Sequence, residues 1–194
     1  MMTNSHEMLM GLAIGIGLAA ACGFRVFVPL LIMSIGVRAD YLNVASNMEW
    51  VGSTPALLAF ATATALEIAA YYVPWVDNAL DSITTPTAIV AGTFASASMI
   101  TGMDPMLQWS VAAIAGGGAA GAVQIATVAT RATSTATTAG FGNPVVSTAE
   151  AGAATGVALL AIVVPVLVVV FLVLMFAFAA RAMFRRRKHV PALQ

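Results

Sequence analysis

A chain of 194 residues in which 60% are hydrophobic and only 8% charged is excluded from the water-soluble globular class, where roughly 25% of residues carry charge. Its eight cations and eight acids cancel, so no net charge points to nucleic acid or to an acidic ligand, and the single cysteine, Cys22, rules out an internal disulfide framework or a multi-cysteine metal site. What remains is an all-α membrane protein whose first partner is the lipid bilayer.

About 20 apolar residues cross the hydrocarbon as a helix, and five segments approach that length: roughly 8–36, 54–73, 85–103, 106–130 and 153–180. The sequence therefore predicts about five transmembrane helices in one domain, 1–183, followed by a basic cytoplasmic tail, 184–194. The first segment contains Arg25 and Pro29 and has two readings. One tilted helix runs throughout, or a helix ends near Arg25 and the stretch from Val26 to Gly36 is a half-helix that re-enters the bilayer. Five crossings with the carboxyl terminus inside place the amino terminus outside; the re-entrant reading leaves four and moves it inside. The amino-terminal apolar stretch lacks a cationic leader region and reads as retained.

Gly11 and Gly15 form a small-residue seam in this first segment. In the second, Glu67 is an acid at membrane depth, as Arg25 is a cation there. Such groups cost about 2.5–3.5 kcal/mol each on insertion scales, so they face protein or water and the two are candidate counter-ions. Asp77 and Asp81 follow one helical turn apart, with Val76, Leu80 and Ile83 toward another side. This pattern predicts a short amphipathic helix near 75–83 at the interface, anchored by Trp75. Thr84 and Thr85 beside the two aspartates could complete an oxygen site for a hard cation, but too few further ligands are in view to assign a metal.

Between the third and fourth segments stands Gly102-Met103-Asp104-Pro105. Glycine ends one helix, aspartate caps the next and proline suits its first turn, giving a tight hairpin. In the fourth segment Gly117, Gly121, Gln124, Val128 and Arg131 share one helical face. That face reads first as a packing seam with Gln124 bonding across it, and second as a pore lining. Residues 127–138, rich in threonine, predict a frayed helix end passing into an exposed loop. Asn143-Pro144 favours a turn, which sets Glu150 near a helix amino terminus, where it caps the helix dipole or pairs with Arg131 or Arg25. Pro165 predicts a kink in the last segment.

Arg181, Arg185, Arg186, Arg187 and Lys188 crowd behind that segment and fix the carboxyl end as cytoplasmic, since lysine and arginine beside a span set orientation. His6 and His189 lie near the termini, and neither a His-Glu-x-x-His nor a Gly-x-Ser-x-Gly pattern occurs. No enzyme chemistry and no cofactor is expected.

Several motifs recur together: Gly23-Phe24-Arg25-x-Phe27-x-Pro29-Leu30, Leu66-Glu67, Val76-Asp77 with Asp81 and Thr85-Pro86, Gly102-x-Asp104-Pro105, and Asn143-Pro144-Val145-Val146-Ser147 with Glu150. In these, and in their order, the chain resembles the bacterial membrane proteins grouped as DUF4126. The resemblance covers nearly the whole chain and implies a multi-pass plasma-membrane location but no established activity. The expected function is a small transporter or channel-like protein for an unidentified solute or ion, whose pathway uses the polar and charged groups Arg25, Glu67, Asp77, Asp81, Gln124 and Glu150. The alternative is a non-transporting scaffold whose charges set helix register. The small-residue seams at Gly11, Gly15, Gly117 and Gly121 suit a homo-oligomer.

Overall fold

The computed structural model describes residues 2–73, 76–170, 172–174, 177 and 181. Every regular element among them is helical: α1 (Met2–Cys22), α2 (Phe27–Arg38), a 3-10 helix (Ser46–Gly52), α3 (Thr54–Ala70), α4 (Val76–Met99), α5 (Pro105–Val111), a π-helical turn (Ala112–Gly117), α6 (Gly118–Thr138) and α7 (Asn143–Val163). Two helices are long and apolar enough to cross a membrane: Pro105–Thr138, which joins α5, the π turn and α6, and Asn143–Val163. A third is reached if the 3-10 helix and α3, bent by 63° at their junction, count as one span.

α1 is the central helix. Leu18, Ala19, Ala20, Ala21 and Cys22 are all fully buried, so its last turns are enclosed on every side, against α4, α6, α7 and α2. Small residues set the closeness of these contacts. A side chain at Gly11 would overlap the Met99 carbonyl, and one at Gly15 would meet Ser96 Cα at 3.0 Å. A side chain at Gly92 would meet Ala19 Cβ at 3.3 Å. The pairings 11 with 99, 15 with 96 and 19 with 92 run in opposite directions, so α4 is antiparallel to α1.

Likewise a side chain at Gly117 would meet Thr93 Oγ1 at 2.6 Å, and one at Gly121 would meet Ile89 at 3.1 Å, so α6 returns antiparallel to α4. The π turn falls where Gly116 and Gly117 press on α4. At the far end Asp104 caps α5 through Met106 N–H (3.0 Å), Gly102 takes φ +74°, and the buried Gln108 amide donates to the carbonyls of Ala97 (2.7 Å) and Ile100 (3.0 Å). This hairpin thus satisfies carbonyls that the end of α4 would leave open.

The structure decides between the two readings of the first segment and corrects two other sequence expectations. The first segment is not one helix: it breaks at 23–26, and α2 runs back, its distal residues reaching the 3-10 helix through Ser34 Oγ to Val51 O (2.7 Å) while Ala45 N–H bonds Ser98 O (2.8 Å) at the end of α4. Five crossings are not reached among the described residues, where two helices, or three with the bent pair counted as one span, have the length and composition to cross. Second, 76–83 is no separate interfacial helix but the opening of α4, which runs straight on through Pro86; Trp75 lies outside the described residues. Third, the threonine-rich stretch is helical to Thr138. Thr130, Thr133 and Thr137 donate to the carbonyls of Ala126, Ala129 and Thr133, four residues back, so each hydroxyl is satisfied without leaving the helix.

α7 ends at Val163, and Val164 (φ −140°, ψ 68°) leaves helical geometry ahead of Pro165. The turn is sharp. Ala161 before it and Val168 after it both face the same position, Gly17. The basic tail from residue 182 onward lies outside the described residues.

Candidate functional site

The antiparallel course brings six helix ends to one end of the bundle: the carboxyl ends of α1, α3 and α6 and the amino ends of α2, α4 and α7. There, in a mostly apolar molecule, the buried charge collects. Arg25 lies in the break between α1 and α2 and is 1% exposed. Its Nη2 donates to the Ser147 carbonyl (3.0 Å) and to Ser147 Oγ (2.5 Å), and stands 3.4 Å from Glu150 Oε2. Arg131, also buried, grips Glu150 with two parallel bonds: Nε to Oε1 at 3.0 Å and Nη2 to Oε2. Fork-to-carboxylate pairing of this kind is the strongest form of the guanidinium hydrogen bond. One carboxylate on α7 therefore ties the α1–α2 break to α6.

The ring of Tyr71 completes the cluster. The guanidinium carbons of Arg25 and Arg131 lie 3.8 Å and 3.9 Å from its centroid, inside the distance at which a cation is drawn to an aromatic face. Tyr71 directly follows α3, four residues beyond Glu67, so both side chains project from one side of that helix. Sequence reasoning missed Tyr71 and named Ser147 only as part of a motif, without a role. For Tyr71 the available signal was the spacing of four from a buried acid.

Glu67 feels the charge of Arg25, but its hydrogen bonds go to the backbone. Its Oε1 accepts Val26 N–H at 2.7 Å and its Oε2 accepts Phe27 N–H at 3.0 Å. These are donors that the first turn of a helix cannot satisfy from within, so a carboxylate on α3 caps α2 from outside. Val26 itself offers no capping side chain. The pairing expected for Glu67 is made instead by Glu150.

Gln124 is buried and donates to Thr84 Oγ1 at 3.0 Å, across the α4–α6 seam that Gly117 and Gly121 make close. Thr127 Oγ1 bonds the Gln124 carbonyl (2.9 Å) and stands 3.4 Å from the Gly23 carbonyl at the α1 break. Gln124 thus borders the cluster through Thr127. Gly11 and Gly15 sit at the opposite end, where α1 crosses α4. Asp77 and Asp81 fall in the first turns of α4, but their side chains lie outside the described residues. No group of three metal-ligating side chains occurs among the described residues.

What the arrangement can do chemically is hold charge: two guanidinium groups, two carboxylates and a phenol ring stand among helix ends beside a helix break. Compared with known proteins, the sequence matches the family described as Domain of unknown function (DUF4126) over residues 12–185. No curated protein and no solved structure matches it. The match spans nearly the whole chain and takes in every residue of the cluster, so the protein belongs to the DUF4126 family.

Proposed function

We propose that the protein is a multi-pass membrane protein acting as a small transporter, with the Arg25–Glu150–Arg131–Tyr71 cluster and Glu67 as its polar site. The observation that carries this reading is the position of Arg25: a fully buried cation held in the gap of a broken helix. In transporters, charged or polar binding sites are built where helices are interrupted, because the half-helix ends supply unsatisfied N–H and C=O groups to a solute. Ionised side chains in apolar surroundings are otherwise expensive to retain. The run of arginines and lysine at 181–188 supports a carboxyl end on the cytoplasmic face of the plasma membrane in this reading.

Proteoliposomes with a pH-sensitive dye, and separately with chloride- and potassium-responsive probes inside, test it. The expected result is a flux above that of empty vesicles which Glu67→Gln, folded as judged by elution and helical circular dichroism, alters on the order of tenfold, the scale of one lost charged hydrogen bond. Wild-type vesicles no leakier than empty ones to any of the three would remove the transport reading. The scaffold reading draws on a specific feature too: Glu150 is saturated by two arginines, as a purely structural tie would be.

A further inference from the structure

We propose that α3 is a hinged gate latched by Glu67, and that protonation of this carboxylate releases the carboxyl half of α3 and admits water to the buried cluster. The inference rests on the proposed polar site and adds a control for it.

Four features of the fold lead there. First, α3 is peripheral: it packs chiefly on α2 and the 3-10 helix, only Ala56 and Thr64 of its residues are buried, and Leu58 and Leu66 face outward. Second, the chain bends by 63° at its start, where Ser53 joins it to the 3-10 helix. Third, its distal end is fastened by polar contacts. These are Glu67 on the Val26 and Phe27 amides, the Tyr71 ring against Arg25 and Arg131, and a 2.7 Å bond between Tyr72 OH and Thr148 Oγ1. Fourth, the closed interface carries a defect. Thr64 Oγ1 is buried with no hydrogen-bond partner among the described residues, and an orphaned hydroxyl favours any state that wets it.

The latch depends on charge. Each Glu67 oxygen accepts one amide, and the carboxylate also faces the positive end of α2. A proton taken from the water phase converts one oxygen into a donor set against an N–H, which deletes one bond and removes the charge–dipole attraction. The titratable and charged groups around Glu67 are Cys22 of α1, Arg25 in the break, Arg131 of α6 and Tyr71 beyond its own helix, with Glu150 of α7 between the arginines. Loss of the Glu67 charge leaves Arg25 and Arg131 with their bonds to Ser147 and Glu150, so the body of the bundle keeps its shape while α3 swings.

Cys22 reports on this directly. It is fully buried in the apolar cluster that includes Val26 and Leu30 and against which Phe60 of α3 packs, and it lies close enough to Glu67 to feel that carboxylate's charge. Whole protein in detergent is treated with a membrane-impermeant methanethiosulfonate, and the rate is divided by that of denatured protein at the same pH. Glu67→Gln at neutral pH is expected to label roughly tenfold or more faster than wild type, the effect of one lost charged bond. Wild type is expected to accelerate likewise on going to mildly acidic buffer. Protection of Cys22 in a folded Glu67→Gln protein overturns the latch; should that variant not fold, protection of acidified wild type overturns it. The two readings fail separately: opening without flux discards transport and keeps the gate, and flux with Cys22 always closed does the reverse.

Discussion

Glu150 ties α7 both to α6 and to the α1–α2 break, because it receives hydrogen bonds from Arg131 and lies 3.4 Å from Arg25 while both guanidiniums are buried. Removing one partner from a buried charge network costs about 3–5 kcal/mol, since the remaining charges keep their desolvation penalty. Glu150→Gln is therefore expected to lower the midpoint of unfolding in detergent severely or to abolish accumulation, with Glu150→Asp between it and wild type. Tyr71→Leu is expected to cost at least about 1–2 kcal/mol by losing the two cation–ring contacts, in the same melts. The sequence made Arg25 and Glu67 legible as costly groups in need of partners, and Glu150 with either arginine was among the readings. It did not assign the pairs, because partner choice depends on which helix ends meet. The backbone amides that claim Glu67 carry no sequence signal at all.

Helix packing turns on whether a glycine has a neighbour. Gly11 touches the Met99 backbone, whereas a side chain at Gly152 would have nothing within 4 Å. Gly11→Ala is expected to destabilise by about 1–3 kcal/mol through forced separation of α1 and α4, and Gly152→Ala to stabilise by about 0.5–1 kcal/mol through lower backbone entropy in the unfolded chain. Thermal unfolding of the two variants side by side decides it. The Asp104 cap and the Gly102 turn were readable from four residues because their chemistry is local. The helical course of 127–138 was not: threonine is a weak helix former on its own, and only the bonds to carbonyls four residues back, with Arg131 anchored to α7, hold the stretch in register.

At the scale of the whole molecule, large apolar side chains look outward from several helices, among them Leu58, Leu66, Ile114, Ile125, Leu159 and Val163. Diluted below the critical concentration of its detergent, the protein is expected to aggregate, and to elute as one species in nanodiscs; monodisperse protein in plain buffer would contradict a membrane location. The helix Pro105–Thr138 has 34 residues, about 50 Å at 1.5 Å per residue, against a hydrocarbon thickness of about 30 Å. Either tilt or projection of its threonine-rich end absorbs the excess. Hydropathy made the apolar segments legible, and their lengths suggested five crossings. The reversal at 23–26 was visible only as one of two alternatives, because an arginine and a proline interrupt a helix without stating in which direction the chain leaves.

The long separation along the chain between partners in the buried cluster sets the order in which the molecule can be completed during synthesis. Ser147 follows Arg25 by 122 residues, and Glu150 follows Arg131 by 19. Both arginines therefore leave the ribosome before the carboxylate that joins them exists, and α1, whose last turns are enclosed by later helices, reaches its final surroundings only when α7 docks. A nascent chain halted ahead of Asn143 holds the cations but not the clasp, which makes insertion of α7 the step that commits the protein to its final form.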